Sequence, residues 1–312
     1  MSLAGGSLWF TQVEAITRAG FQILDARDMP EEASHLITRP RAPIAGLDMA
    51  APRIMGILNV TPDSFSDGGK FLDPSTAAAR GRAMATDGAD ILDIGGESTR
   101  PGAATVEVAE EIDRTAPVIA ALTAQLDTPI SIDTRKCPVA EAALDAGAAL
   151  VNDVAALSYD PSLVPLCVDR DAPVCIMHAQ GDPETMQQNP RYDNVLLDVY
   201  DYLEDRVVTL EGQGIPRARI LVDPGIGFGK TVEHNLTLLR GLSIFHGLGC
   251  AILVGASRKR FIGTIGEAPR TEARLPGSLA VGLAALAQGV QMLRVHDVGE
   301  TAQAMRLWQA VH

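Results

Sequence analysis

The 312 residues carry 26 lysines and arginines against 39 aspartates and glutamates, a formal net charge of −13, and 46% of them are apolar. That is the composition of a globular chain long enough to bury one large core, and it excludes extended disorder. The acidic surplus argues against nucleic acid or an anionic membrane as a general partner, while a small anionic substrate needs only a few local cations.

The first 52 residues stand apart from the rest. Trp9, Val13 and Ile16 share one helical face and predict a short appended helix, closed by Gly20. Arg39-Pro40-Arg41-Ala42-Pro43 reads as an extended linker. From residue 53 to 312, short β-type runs alternate with helix-length stretches. Strands are predicted at Ile54–Val60, Asp90–Gly95, Pro129–Thr134, Leu150–Val154, Pro173–His178, Ile220–Asp223, Ala251–Ser257 and Met292–Asp297. Between them Pro74–Asp87, Thr105–Gln125, Lys136–Ala146 and Asn194–Glu211 read as helices. Eight such units predict a (β/α)₈ TIM barrel carrying a short N-terminal extension. A doubly wound sheet seldom needs eight units, and no dinucleotide fingerprint is visible.

Gly88, Gly147 and Gly214 each follow a helical stretch, where a left-handed cap favours glycine. The uncharged run between Arg274 and Arg294 is broken by Pro276, Ser278, Gln288, Gln291 and three glycines, so it reads as a packed helix and a strand, not a membrane span. No secretory leader is apparent, since no basic residue precedes Arg18 and no sustained apolar run follows. Cys137, Cys167, Cys175 and Cys250 form neither a C-x-x-C nor a zinc spacing and read as reduced thiols of a cytoplasmic protein.

Barrel sites lie where the strands end. There the chain places Asn59, Asp133, Asn152-Asp153, His178, Asp223, Ser257-Arg258-Lys259 and Arg294-Val295-His296-Asp297. With Glu97-Ser98-Thr99-Arg100 after the second strand, all eight strands end in polar side chains; one such end commonly just caps a helix, but eight of eight call for a ligand or mutual pairing. Arg294 and His296, two apart, project to one side and suggest an anion site; the plainer reading pairs Arg294 with Asp297 or a neighbouring carboxylate. Gly225–Thr231 imitates a phosphate loop, yet Pro224 stands where that motif needs its first glycine. His178 alone is more often a satisfied core histidine than a metal ligand.

Two long stretches, Ile57–Gly69 (ILNVTPDSFSDGG) and Gly95–Ala103 (GGESTRPGA), with Asp223-Pro224-Gly225, Ser257-Arg258-Lys259 and Arg294-Val295-His296-Asp297 following in order, resemble the dihydropteroate synthases, from about Arg53 to Val311. The resemblance implies condensation of 6-hydroxymethyl-7,8-dihydropterin pyrophosphate with p-aminobenzoate, releasing pyrophosphate with Mg²⁺ assisting. It implies that Asp223, with Asn152 and Asp133, reads the amino-pyrimidinone edge, with Lys259 on the ring acceptors. Arg100, Arg294 and His296 would meet the diphosphate, and Asn59 would share in holding the metal. Asp63 and Asp133 would stabilise a cationic pterin methylene in a dissociative step. The arylamine carboxylate would rest on Ser257 and the helix after it, with Arg258 in the same binding segment. Phe65, Pro101 and Phe228 would wall the ring, Thr99 would fix its loop, and Met177 would be either a pocket wall or core. Phe65 and Phe228 have a plainer reading as loop anchors, as Thr99 has as a helix cap.

Two other readings compete. A methyltetrahydrofolate-type methyltransferase would share Asp133 and Asp223 but not the diphosphate cations, and a catalytically silent pterin-binding paralogue would release no diphosphate. Family members usually form homodimers through their last helices, which the uncharged Leu279–Gln288 face fits.

Overall fold

A computed structural model describes residues 1–61, 74–98, 105–181, 186 and 188–311. Eight parallel strands close into a barrel: β3 (Arg53–Asn59), β4 (Ile91–Gly95), β5 (Ile130–Asp133), β6 (Leu150–Asp153), β7 (Val174–Met177), β8 (Ile220–Asp223), β9 (Ala251–Val254) and β10 (Met292–Val295), with β10 hydrogen-bonded back to β3. The helices between them are α2 (Pro74–Asp87), α3 (Val108–Thr123), α4 (Cys137–Asp145), α5 (Leu163–Asp169), α6 (Val195–Gly212), α7 (Val232–Arg240), α8 (Arg260–Ile265), α9 (Leu275–Leu286) and α10 (Val298–Val311). Pro74 at the first position of α2 loses no helical hydrogen bond, and Gly88, Gly147 and Gly214 take positive φ behind their helices as expected. No helix among the described residues is long and apolar enough to cross a membrane. All four cysteines are free thiols.

Alternation along each strand divides the core in two. Ile54, Leu92, Ile94, Ile130, Ile132, Val151, Val174, Ile176, Val222 and Ile252 pack outward in one cluster with the helices. Met55, Ile91, Leu150, Cys175, Leu221, Leu253 and Met292 form a second cluster inside the bore. One step further up on the bore-facing side come Asp93, Asp133, Asn152, Met177, Asp223 and Arg294. The barrel is therefore filled with apolar side chains below and polar ones above, which places the site at the strands' carboxyl ends.

The lower end is stoppered by the extension. Ile44 and Met49 join the bore cluster. They are carried by a tight turn in which Ile44 and Leu47 exchange backbone hydrogen bonds of 3.0 and 2.8 Å around Ala45 (φ 49°) and Gly46 (φ 79°). Both central residues of such a primed turn need positive φ, which Gly46 adopts without strain.

The helix expected around Trp9–Ile16 is not formed. Those residues enter a hairpin, β1 (Gln12–Thr17) with β2 (Gly20–Asp25), and Gly20 opens a strand where a helix cap was expected. Val13, Ile16, Thr17, Phe21 and Ile23 are β-branched or aromatic, so cross-strand pairs such as Val13–Leu24 and Ile16–Phe21 outcompete the helical spacing. The helix of the extension, α1, lies later at Glu31–Thr38. Arg39–Pro43 has no regular structure, as the two prolines predict.

Candidate active site

Strand register sets Asn59, Gly95, Asp133 and Asn152 side by side across β3 to β6. A Cβ at Gly95 would stand 3.7 Å from both Asn59 Oδ1 and Asp133 Oδ2, so the amide and the carboxylate flank one corner of the mouth. Across the bore, Arg294 donates from Nε to Asp93 Oδ2 at 2.6 Å and from Nη2 to Asp133 Oδ2 at 2.7 Å. Asn152 Nδ2 adds a bond to Asp93 Oδ2 at 3.1 Å, while Asp93 Oδ1 is buried without a hydrogen-bond partner.

Two carboxylates against one guanidinium leave an excess negative charge in a dry place. Burial pushes Asp133 up to about 7; Arg294 opposes the rise and Asp93 adds to it. Burial also works against the Arg294 charge, but Asp93 and Asp133 outweigh it and hold the guanidinium protonated. Of the two readings of Arg294, a carboxylate pair is formed, and the partners are Asp93 and Asp133. Asp297 pairs instead with Arg258, whose Nε donates to Oδ2 at 2.9 Å. Arg258, expected to bind substrate, thus has its guanidinium taken by a carboxylate beside the site.

Next to Arg294, Asp223 ends β8 in register with Met177, which lies buried at the end of β7. Burial raises the Asp223 carboxyl, against a bond from Gly225 N–H to Oδ1 at 2.7 Å. The loop that follows brings the Phe228 ring to 4.0 Å from Lys259 Nζ, centroid to nitrogen. At the end of β10, Ser257 Oγ accepts the His296 backbone N–H at 3.2 Å and lies 3.0 Å from His296 Nδ1. The Ser257 hydroxyl and the His296 imidazole are thus hydrogen-bonded to each other at the mouth of the site.

A buried ion cluster braces the mouth beside β4. Lys136 Nζ donates to Glu97 Oε2 and Glu111 Oε2, both at 2.7 Å, and to the Val106 carbonyl at 2.5 Å. Glu97 Oε2 also accepts the Val106 N–H at 2.7 Å, and Thr134 Oγ1 donates to Glu111 at 2.8 Å. Burial disfavours the Lys136 ammonium, yet the two glutamates win and raise its pKa. Glu97 and Val106 flank the stretch 99–104; Glu97 stands at a predicted strand end, whereas Glu111 and Lys136 lie in predicted helical stretches and are not singled out by a reading of strand ends.

Asp93, Lys136 and the lysine–histidine pair Lys230–His178 described below were not anticipated. Asp93 could have been, since it lies two residues above Ile91 on the bore side. His178 is a satisfied core histidine, as expected, facing Lys230 Nζ at 2.9 Å. Asp63, Phe65, Thr99, Arg100 and Pro101 lie outside the described residues.

The pterin binding enzyme family matches residues 55–296. A dihydropteroate synthase of Escherichia coli strain K12 is 45% identical over 264 residues, covering 85% of this chain and 93% of the relative. Another from Synechocystis is 45% identical over 258 residues, covering 83% and 89%. Among solved structures, the Xanthomonas albilineans dihydropteroate synthase with 4-aminobenzoic acid superposes with a TM-score of 0.82 at 46% identity, over 87% of this chain and 98% of that one. The Xanthomonas albilineans enzyme in complex with 7,8-dihydropteroate gives 0.79 at 44%, with 87% and 98% covered. A Yersinia pestis dihydropteroate synthase with a sulfonamide drug gives 0.81 at 43%, with 85% and 96% covered.

Proposed function

Since this chain belongs to the pterin-binding enzymes, and within them to the dihydropteroate synthases, we propose how its residues divide the labour of joining a dihydropterin diphosphate to p-aminobenzoate. The observation that carries the reading is the polar layer of the bore, where Asp133, Asn152 and Asp223 converge with Arg294 above a largely apolar floor.

An amino-pyrimidinone edge presents adjacent N–H donors, and carboxylates buried at a barrel mouth accept them well. Asp223 takes that role with Asn152 beside it, and Lys259 donates to the ring acceptors. In the reaction the methylene C–O bond breaks with its electron pair leaving on the diphosphate, the arylamine nitrogen forms the C–N bond, and the resulting ammonium loses a proton. A dissociative course puts positive charge on the methylene, which Asp133 stabilises from the bore and Asp63 from its loop. Two of the Arg294 N–H edges already serve Asp93 and Asp133, so its part is to aim those carboxylates and to oppose the rise of Asp133. His296 and Arg100 meet the departing diphosphate. By the family's pattern Phe65, Pro101 and Phe228 would wall the aryl ring and Thr99 would fix its loop, with Met177 a pocket wall, and Ser257 with the start of α8 answers the carboxylate.

Mg²⁺ fits this mouth by donor chemistry. Asn59 offers an amide oxygen at the corner it shares with Asp133, and a hard cation that keeps most of its waters takes its other ligands from phosphate oxygens. When bound, the ion would neutralise charge building on the diphosphate. A homodimer is supported by α9 and α10. Only Ala285 and Leu286 of α9 are buried, and Leu307 and Val311 of α10 are 63% and 75% exposed. A cytoplasmic location is supported by the four thiols.

The deciding experiment measures diphosphate release with Mg²⁺, with and without p-aminobenzoate, for the unaltered protein and Asp133→Asn. Product formation that requires p-aminobenzoate and falls by roughly 10²-fold or more in the variant supports these roles. An Asp133→Asn protein as active as its parent would remove Asp133 from the chemistry.

A further inference from the structure

Lys230 is buried, and among the described residues no carboxylate stands at ion-pair distance from it. Its three N–H bonds find three acceptors of another kind: the Phe228 carbonyl at 2.9 Å, the His178 carbonyl at 3.3 Å and His178 Nδ1 at 2.9 Å. Burial pulls the ammonium down to about 7, with Asp223 opposing the fall and Lys259 adding to it. The same burial, with Lys230 beside it, drives His178 to about 3, so Nδ1 is an acceptor. An ammonium buried without a counter-ion is costly, and a methionine would fill the space more cheaply if filling were its only role.

What the ammonium holds is the loop between β8 and α7. This loop lies on the end of β7 so closely that a Cβ at Gly225 would fall 1.9 Å from the His178 carbonyl oxygen, and one at Gly229 2.5 Å from that of Gln180. Tyr192 Oη donates to the Gly229 carbonyl at 2.7 Å on the outer side. Tyr202 stands edge-on to the His178 ring at 4.9 Å and fixes its plane. The Phe228 main chain is thus gripped from below by Lys230, and its ring packs on the Lys259 ammonium.

We propose that Lys230, oriented by His178, is a positioning residue for the arylamine half of the site: it fixes the Phe228 main chain and so holds that ring as a wall of the p-aminobenzoate pocket. The proposal rests on the reading that Phe228 walls the arylamine ring. Its effect falls on p-aminobenzoate more than on the pterin, whose edge is read by Asp223, Asn152 and Lys259.

The test compares Lys230→Met, Phe228→Ala and the double variant, measuring kcat and both KM values, the calorimetric Kd for dihydropterin diphosphate, and the thermal midpoint. Lys230→Met is expected to raise the p-aminobenzoate KM about tenfold, the scale of one lost charge-assisted hydrogen bond. The pterin Kd is expected to stay within about threefold, and Lys230→Met added to Phe228→Ala to cost less than about threefold more, since the two act through one contact. Equal weakening of both substrates, or full additivity with Phe228→Ala, overturns the proposal. Should Lys230→Met fail to fold, His178→Gln and His178→Leu decide. The amide oxygen of the first still receives Nζ and is expected to hold the p-aminobenzoate KM near the parent value, whereas the second raises it; identical behaviour of the two refutes the role. A Phe228→Ala protein with unchanged KM sinks both the proposal and the wall reading, while a change there without one in Lys230→Met sinks the proposal alone.

Discussion

Arg294 reaches Asp133 at 2.7 Å with the same guanidinium that holds Asp93 at 2.6 Å, so one cation from the last strand bridges carboxylates of the second and third barrel strands. Three of the eight strands therefore report to one another across the bore through a single side chain. Replacing the arginine would leave two buried carboxylates facing each other, and the ionisation of Asp133 depends on both neighbours, Arg294 opposing its rise and Asp93 adding to it.

That dependence gives a pH signature. The groups facing Asp133 are Arg294 on β10, Asp93 on β4, Asp153 on β6 and Glu111 on α3. With Asp133 near 7 and needed as a carboxylate, kcat/KM is expected to climb with pH along an acid limb centred near 7. Asp93→Asn removes a like charge, which favours the ionised form, so the limb should move down by about one unit. An unmoved limb would show that another group governs it. For stability the sign is opposite: a carboxyl raised above its ordinary 3.8 favours the folded state in full below that value and loses this contribution as pH passes through about 7.

The Lys136 cluster makes a second prediction. Lys136→Met takes the ammonium away from Glu111, 1% exposed and left with the Thr134 hydroxyl, and from Glu97, 6% exposed and left with Arg135 at 3.2 Å. The expected loss is about 3–5 kcal/mol in denaturant unfolding, with part of it recovered by adding Glu111→Gln. A loss no larger than that of an exposed pair would mean that water enters the cluster.

The stopper of the bore is a third. Ile44→Ala removes a fully buried side chain from the cluster with Leu221, Leu253 and Met292, and about 2–5 kcal/mol is expected from transfer and cavity together. Unfolding within error of the parent would place Ile44 outside the cooperative core.

For the homodimer proposed through α9 and α10, the unaltered protein is expected to sediment as a dimer and Leu307→Glu as a monomer at micromolar protein, with the thermal midpoint little changed at high concentration. A dimer that survives the substitution would move the interface elsewhere.

Much of this was legible because the signal is local. Ile220–Asp223 and Pro74–Asp87 match the expected ranges residue for residue, and the other barrel strands fall within those ranges or within one residue of them. Runs buried on both faces announce parallel strands, and glycines mark the helix ends. The period-two rule also reached further than it was used: counting up from Ile91 on the bore side finds Asp93. The hairpin was missed because three apolar residues at helical spacing were weighed above the β-branched and aromatic residues around them. His178 and Lys230, and Glu97, Lys136 and Glu111, meet only after the barrel closes, and nothing in their separate neighbourhoods shows that they touch. Lys230 was further hidden inside a glycine-rich stretch examined as a phosphate loop and set aside.

The turn at Ile44–Leu47 also bears on how the chain acquires its shape. Ile44 and Met49 rest among side chains of β8, β9 and β10, which are made some two hundred residues later. Until those strands arrive, the early segment has no completed socket, and contacts across so long a span are slow to form because much chain entropy is lost in making them. Seating the stopper should therefore belong to the late part of folding, when the last strand seals the ring. A protein lacking residues 1–52 would then be expected to assemble its strands at a similar pace yet reopen far sooner.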